Sequence, residues 1–268
     1  MDFTPGSTYL MPVAFGPLPP HPAGVFEDVR TLTAVFTTTP QAIARVLPAP
    51  FTPGRSPQLI AYMQRCRGVN FLAGGEYRLM GVNVTATFPA ATGPIEGEFA
   101  LILWETSIEA IIRGREILGI PKLLAEIDDP SPRDGRYRVT ARENGADLMS
   151  LDLTGERAMT DAEVADLAAP ATPSAWFGWK RIPQIDGVGV AVNQATFIDI
   201  ANRPTAGTWC TGAVEFGDLT WQANPTSSRI TAGLREFPLL GCERAYVTEG
   251  TVQLTRAGHR VLAEVPTG

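Results

Sequence analysis

Gly114-Arg115-Glu116-Ile117-Leu118-Gly119-Ile120-Pro121-Lys122 is a segment that stops a helix and sets a lysine directly after the stop. Upstream, Thr106 followed by Glu109 reads as a capping box, and Ile108, Ile111, Ile112 and Arg115 then fall three or four apart on one helical face. Gly119 supplies a left-handed terminator and Pro121 cannot continue the ladder, so the spacing predicts a helix that ends near Gly119. Lys122 is expected just beyond that C-terminus. Lysine is otherwise scarce: of 22 basic residues only Lys122 and Lys180 are lysines, which narrows any search for an amine nucleophile.

On both sides of this segment the pattern is that of strands. Arg30 to Thr37 is β-branched and alternates apolar with polar, as a half-buried strand does. A short helix is expected next, with Pro40 at its first position, Ala42, Ile43, Val46 and Leu47 at helical spacing, and Pro48 and Pro50 beyond it. From Leu59 to Phe88 strands return, punctuated by glycines, with Val82, Val84, Ala86 and Phe88 on one face. Phe99 to Trp104 is a continuous apolar run, which suits a strand buried on both faces or the lead into the next helix. Asp134-Gly135 and Asn144-Gly145 are turn signals around strands at Arg136 to Thr140 and Leu148 to Leu153. Asp161 to Ala169 looks helical and is closed by Pro170 and Pro173, and Ala245 to Leu254 alternates again. Residues 1 to 27 hold six prolines and read as an extended arm that has no obvious use within the chain. The remainder, 28 to 268, reads as one α+β domain dominated by antiparallel strands, curled or closed so that few edges are left open.

Composition limits the function. With 268 residues, 44% hydrophobic and 19% charged, the chain can bury a large core. A formal charge of -6 with scattered arginines gives no footprint for nucleic acid. Cys66, Cys210 and Cys242 lie far apart with no histidine nearby, so reduced thiols are expected and no metal site. No signal peptide or membrane span is apparent, and a cytoplasmic location is expected.

The Gly114 to Lys122 segment resembles the signature of acetoacetate decarboxylases, in which Gly-Arg-Glu leads through an apolar stretch to Pro-Lys. Trp179-Lys180-Arg181-Ile182-Pro183-Gln184-Ile185-Asp186-Gly187 is similar to a second stretch of that family, and Arg30 to Pro50, closing in Val-Leu-Pro-Ala-Pro, fits a third. The resemblance spans roughly residues 25 to 255 of the sequence. It implies a barrel-like, mostly antiparallel fold and a lyase that works without metal or organic cofactor. Lys122 would form a Schiff base with a small oxo acid, because only a neutral amine adds to a ketone and the iminium then accepts an electron pair.

This sequence also departs from the decarboxylases. Leu123 follows the lysine where they carry a second lysine, Leu79 stands in place of a glutamate with Glu76 nearby, and Val29 in place of a substrate-binding arginine with Arg30 adjacent. Those departures resemble the aldolase-dehydratase branch, which joins pyruvate to an aldehyde and then loses water. Tyr246 and Glu116 are the candidate proton shuttles; Arg30, Glu76 and Arg115 are the candidate substrate-binding residues. Arg115 and Glu116 serve equally well as an ion pair orienting the helix end, and Lys180 reads as a structural or subunit-contact residue. Decarboxylation of a 3-oxo acid and non-catalytic binding of a small acid are the alternatives, and a homo-oligomer is expected from the family.

Overall fold

The computed structural model describes residues 2–168 and 175–265. Its strands, in chain order, are β1 (Ala23–Thr37), β2 (Thr52–Pro53), β3 (Gln58–Val69), β4 (Gly75–Ala90), β5 (Gly93–Glu105), β6 (Lys122–Leu124), β7 (Glu126–Ile127), β8 (Arg136–Glu143), β9 (Ala146–Ala158), β10 (Ala175–Pro183), β11 (Val190–Phe216), β12 (Gly241–Thr255) and β13 (Arg260–Glu264). Four short α-helices join them: α1 (Pro40–Ala44), α2 (Ile108–Arg113), α3 (Asp161–Ala168) and α4 (Ser228–Arg235). The strands form one mixed sheet in the order β10-β5-β4-β3-β1-β12-β11-β9-β8-β7, and β10 also pairs with β11. That extra pairing closes a barrel. Among the described residues only the β10–β5 and β5–β6 pairs are parallel.

Period-two alternation decides what lies inside. Val29, Thr31, Thr33 and Val35 of β1 line the interior cavity, whereas Leu32, Ala34 and Phe36 point outward into the main core. Tyr62, Gln64 and Cys66 of β3 face inward by the same rule, with Ala61 and Met63 outward. The outer faces are covered by Val139, Ala141, Leu148, Met149, Leu151 and Leu153 of the β8–β9 hairpin. Each wholly buried Leu or Met there contributes roughly 1.5–3 kcal/mol of transfer free energy. The hairpin turns on Asn144 and Gly145, both at positive φ, as an Asn-Gly pair allows.

Local signals held in type and shifted in detail. Phe99 to Trp104 is strand, part of β5. Pro40 does open α1, capped by Thr39 Oγ1, which accepts from Ala42 N, but α1 is one turn long and ends before Val46 and Leu47. The cap of α2 is Ser107 and not Thr106. Thr106 is held as a last rung between β4 and β5, its N donating to Arg78 O and its Oγ1 accepting from Arg78 N, so Ser107 Oγ is the group left to accept from Ala110 N. α2 also ends early: a π turn at Gly114–Leu118 continues it to Gly119, which takes the expected left-handed conformation at φ 74°. Pro170 and Pro173, expected to close α3, lie outside the described residues. The N-terminal arm has a use within the chain after all. Its last residues enter β1 at Ala23, and Thr8, Leu18, Pro19 and His21 cover a small cavity beside Lys122.

Candidate active site

Lys122 opens β6 and sits opposite Leu103 in the parallel pair with β5. The turn before it is tied down from several sides. Ile120 N donates to Gly114 O, Arg115 Nη1 donates to the Lys122 carbonyl, and Trp179 N donates to Gly119 O. Thr196 Oγ1 donates to Leu118 O at 2.7 Å. Trp179, from the second sequence motif, thus supports the first. The stretch Gln184 to Gly187 of that motif forms an exposed turn, in which Asp186 accepts from Val188 N.

The amine itself is enclosed. Lys122 is 8% exposed and its Nζ lies 2.8 Å from Oε1 of Glu105, a residue with no exposure at all. The same Nζ donates at 3.3 Å to Ala110 O, a carbonyl of α2 that also accepts from Gly114 N. Apart from this amine, neither Glu105 oxygen has a hydrogen-bond partner among the described residues. Burial pushes the Glu105 carboxyl above its ordinary range, and Lys122 only partly opposes that. A buried ion pair with so few other partners keeps little net stabilisation, since each desolvated ion costs several kcal/mol. Proton transfer from Nζ to Oε1 would leave a free amine and a carboxylic acid in contact.

Around the pair the wall is apolar or weakly acidic. Val29, Leu79 and Leu103 line the cavity beside it, together with Cys66 and Tyr77, which are cross-strand partners. Burial, reinforced by the charge of Glu105, holds the Cys66 thiol and the Tyr77 phenol well above their usual ranges, so both stay neutral. The cavity has a volume of about 230 Å³ and extends past Tyr62 and Tyr246 to Asn83, Glu98 and Arg244. A smaller one of about 130 Å³ reaches Lys122 from the other side, between α2 and the N-terminal arm.

The candidates named from sequence separate clearly. Lys122 and Tyr246 face the same cavity. Arg115 is exposed and acts through its bond to the Lys122 carbonyl, and Glu116 is half-buried outside the cavity lining. Arg30 points away from the lining and pairs with Glu249; Glu76 is exposed and pairs with Arg67. Neither lies on the face of Val29 and Leu79, which line the cavity, because Arg30 is one step and Glu76 three steps away and an odd number of steps along a strand reverses the side chain. Leu124 is exposed and Leu123 packs on the outer core, so neither lines the cavity beside the amine. Glu105, Tyr62, Tyr77 and Glu98 were not anticipated. The one available signal for Glu105 was a lone acid closing the apolar run Phe99 to Trp104.

The sequence profile of the family "acetoacetate decarboxylase" matches residues 10–259. The chain belongs to the acetoacetate decarboxylase family. Solved structures agree on the fold. Acetoacetate decarboxylase from Legionella pneumophila is 18% identical, with a TM-score of 0.73 over 92% of this chain and 89% of that one. An acetoacetate decarboxylase-like enzyme from Sphingomonas wittichii RW1 is 16% identical, with a TM-score of 0.74 over 97% of this chain and 100% of that one. The enduracididine biosynthesis enzyme MppR, complexed with the condensation product of pyruvate and imidazole 4-carboxaldehyde, is 15% identical, with a TM-score of 0.73 over 99% of both chains. No protein of curated function matches the sequence. Among the described residues no helix is long and apolar enough to cross a membrane.

Proposed function

We propose that this family member is a Schiff-base lyase that condenses a small 2-oxo acid, of the pyruvate type, with an aldehyde and then dehydrates the product. The observation that carries the reading is the sealed Lys122–Glu105 pair, 2.8 Å apart, in a wall whose other nearby members are uncharged. Glu105 takes the ammonium proton, and the free amine adds to the ketone carbon. The same proton returns to the carbinolamine hydroxyl, which leaves as water and gives the iminium. Glu105, again a carboxylate beside the new C=N bond, removes a proton from the methyl carbon to give an enamine. The enamine attacks the aldehyde carbon as Glu105 returns its proton to the aldehyde oxygen; Glu105 then removes a second proton from the same α-carbon and passes it to the departing hydroxyl, which leaves as water, and hydrolysis of the iminium frees Lys122.

Decarboxylation fits this wall less well. Loss of carbon dioxide from a 3-oxo acid needs only the iminium as its electron sink and makes no use of a carboxylate held against the amine. Proton abstraction has its base in place. The binding of pyruvate by MppR supports the choice of oxo acid.

Borohydride reduction in the presence of pyruvate or acetoacetate, read by intact mass and peptide mapping, is the test. We expect one reduced pyruvate adduct, located on Lys122 and absent from Lys122→Ala. In that variant Glu105 can bind a proton, so the fold is retained. No adduct in the wild type, or an adduct that survives the substitution, rejects the proposal; rapid carbon dioxide release from acetoacetate would replace condensation with decarboxylation.

A further inference from the structure

The end of the barrel cavity remote from Lys122 is unusually polar for a barrel interior. Glu98 and Leu103 both lie on β5, five residues apart, and Lys122 is level with Leu103. Five strand residues span roughly 16 Å. Glu98 therefore cannot touch atoms bonded to the amine, yet it lines the same cavity. Asn83 Nδ2 donates to Glu98 Oε2 at 2.8 Å and fixes the carboxyl's direction. Asn83 is 4% exposed, and its Oδ1 has no hydrogen-bond partner among the described residues. Trp176, the residue level with Glu98 on β10, also lines the cavity, and its Nε1 is likewise buried without a partner. Leaving such buried groups unpaired forfeits the hydrogen bonds they had with water. A cavity end with an orphan acceptor, an orphan donor and a buried carboxyl is built to be completed by a ligand.

We infer that Asn83, Glu98 and Trp176 form a distal subsite that takes an uncharged, hydrogen-bonding end group, such as a hydroxyl, on an elongated second substrate. The inference rests on the reading of Lys122 as the reacting amine, because it assigns the two ends of one cavity to two parts of one reaction. An uncharged group is specified by the site's own chemistry. Burial raises the Glu98 carboxyl above its ordinary range, with Asn83 and Arg244 opposing, and so favours its neutral form, which both donates and accepts. A hydroxyl can donate to Asn83 Oδ1 or Glu98 and accept from Trp176 Nε1. Between the ends, Tyr62 and Tyr246 stay un-ionised through burial and give the spacer a neutral aromatic lining. The aldehyde so described carries a hydroxyl several bonds from its carbonyl, across a flat or apolar spacer.

Two ligands that cannot form a Schiff base isolate the subsite: 4-propylphenol and propylbenzene, which differ only in the hydroxyl, titrated calorimetrically into the whole protein. We expect the wild type to bind the phenol at least tenfold more tightly, since a site built to pair a hydroxyl discriminates strongly against its absence. Glu98→Leu should remove the preference and Glu98→Gln, which keeps a donor and an acceptor, should retain most of it. Borohydride trapping of pyruvate should proceed normally in both variants, which shows that they are folded and that the amine is intact. Equal affinities in the wild type, no binding of either ligand, or a preference that survives Glu98→Leu would overturn the subsite. Absence of a pyruvate adduct in the wild type is a separate result and rejects the Schiff-base reading instead.

Discussion

A methyl group built on Gly114 would lie 2.3 Å from both Cδ and Cε of Lys122 and 2.9 Å from its Nζ. This glycine is therefore the floor on which the lysine side chain rests. The clash falls on a flexible chain and spares the backbone, so in Gly114→Ala the lysine moves and the fold stays. We expect little change in the urea midpoint but at least a tenfold slower Schiff-base formation, because displacement of about 1 Å at a reacting atom can cost 10²-fold. Stopped-flow trapping with pyruvate measures it, and a wild-type rate would show that the position of Nζ is not set by Gly114. At this scale Lys122 was legible because a fixed motif surrounds it. Glu105 was not: its partnership depends on β6 returning beside β5, and nothing in Leu103-Trp104-Glu105 announces which residue will lie opposite. Arg30 and Glu76 fall off the cavity lining for the complementary reason, since an odd number of steps along a strand reverses the face.

The contrasting glycine belongs to an element. Gly119 ends the α2 and π-turn segment at φ 74°, and a Cβ there would meet backbone, with Lys180 N at 2.6 Å and Cα at 2.8 Å. Backbone cannot swing aside. Gly119→Ala should combine the left-handed penalty of roughly 1–2 kcal/mol with overpacking of roughly 1–3 kcal/mol. We expect destabilisation on the order of 3 kcal/mol in urea unfolding, and a loss below about 1 kcal/mol would mean that β10 does not bear on this turn. The position of this terminator could be read from Gly119 and Pro121 alone. The π turn could not, because Gly114 to Leu118 has the composition of an ordinary helix and its wider winding answers to tertiary anchors, Ile120 N on Gly114 O and Thr196 Oγ1 on Leu118 O.

For the whole molecule, alternation along β1, β3 and β4 was enough to foresee a curled antiparallel sheet. Its closure through the β10–β11 pairing and the covering of its outside by β8–β9 are long-range events that no local pattern encodes. The N-terminal arm shows the same limit, and it matters for chemistry. Thr8, Leu18, Pro19 and His21 close the small cavity that reaches Lys122 from the α2 side, and Arg256 fastens the arm by donating to Thr8 Oγ1. Without the arm, water would gain access to Nζ past Phe26, Phe71 and Tyr77. Hydration stabilises the ammonium–carboxylate form over the free amine and acid, and each 1.4 kcal/mol gained by the charged form lowers the reactive population about tenfold. A variant lacking residues 2–19 should accordingly keep its circular dichroism spectrum, since the ring begins at Ala23, while pyruvate trapping slows by about tenfold or more. Trapping as fast as in the full chain would mean that the barrel alone dries the amine; a lost spectrum would mean that the arm is part of the fold's core and not a cover over its reactive end.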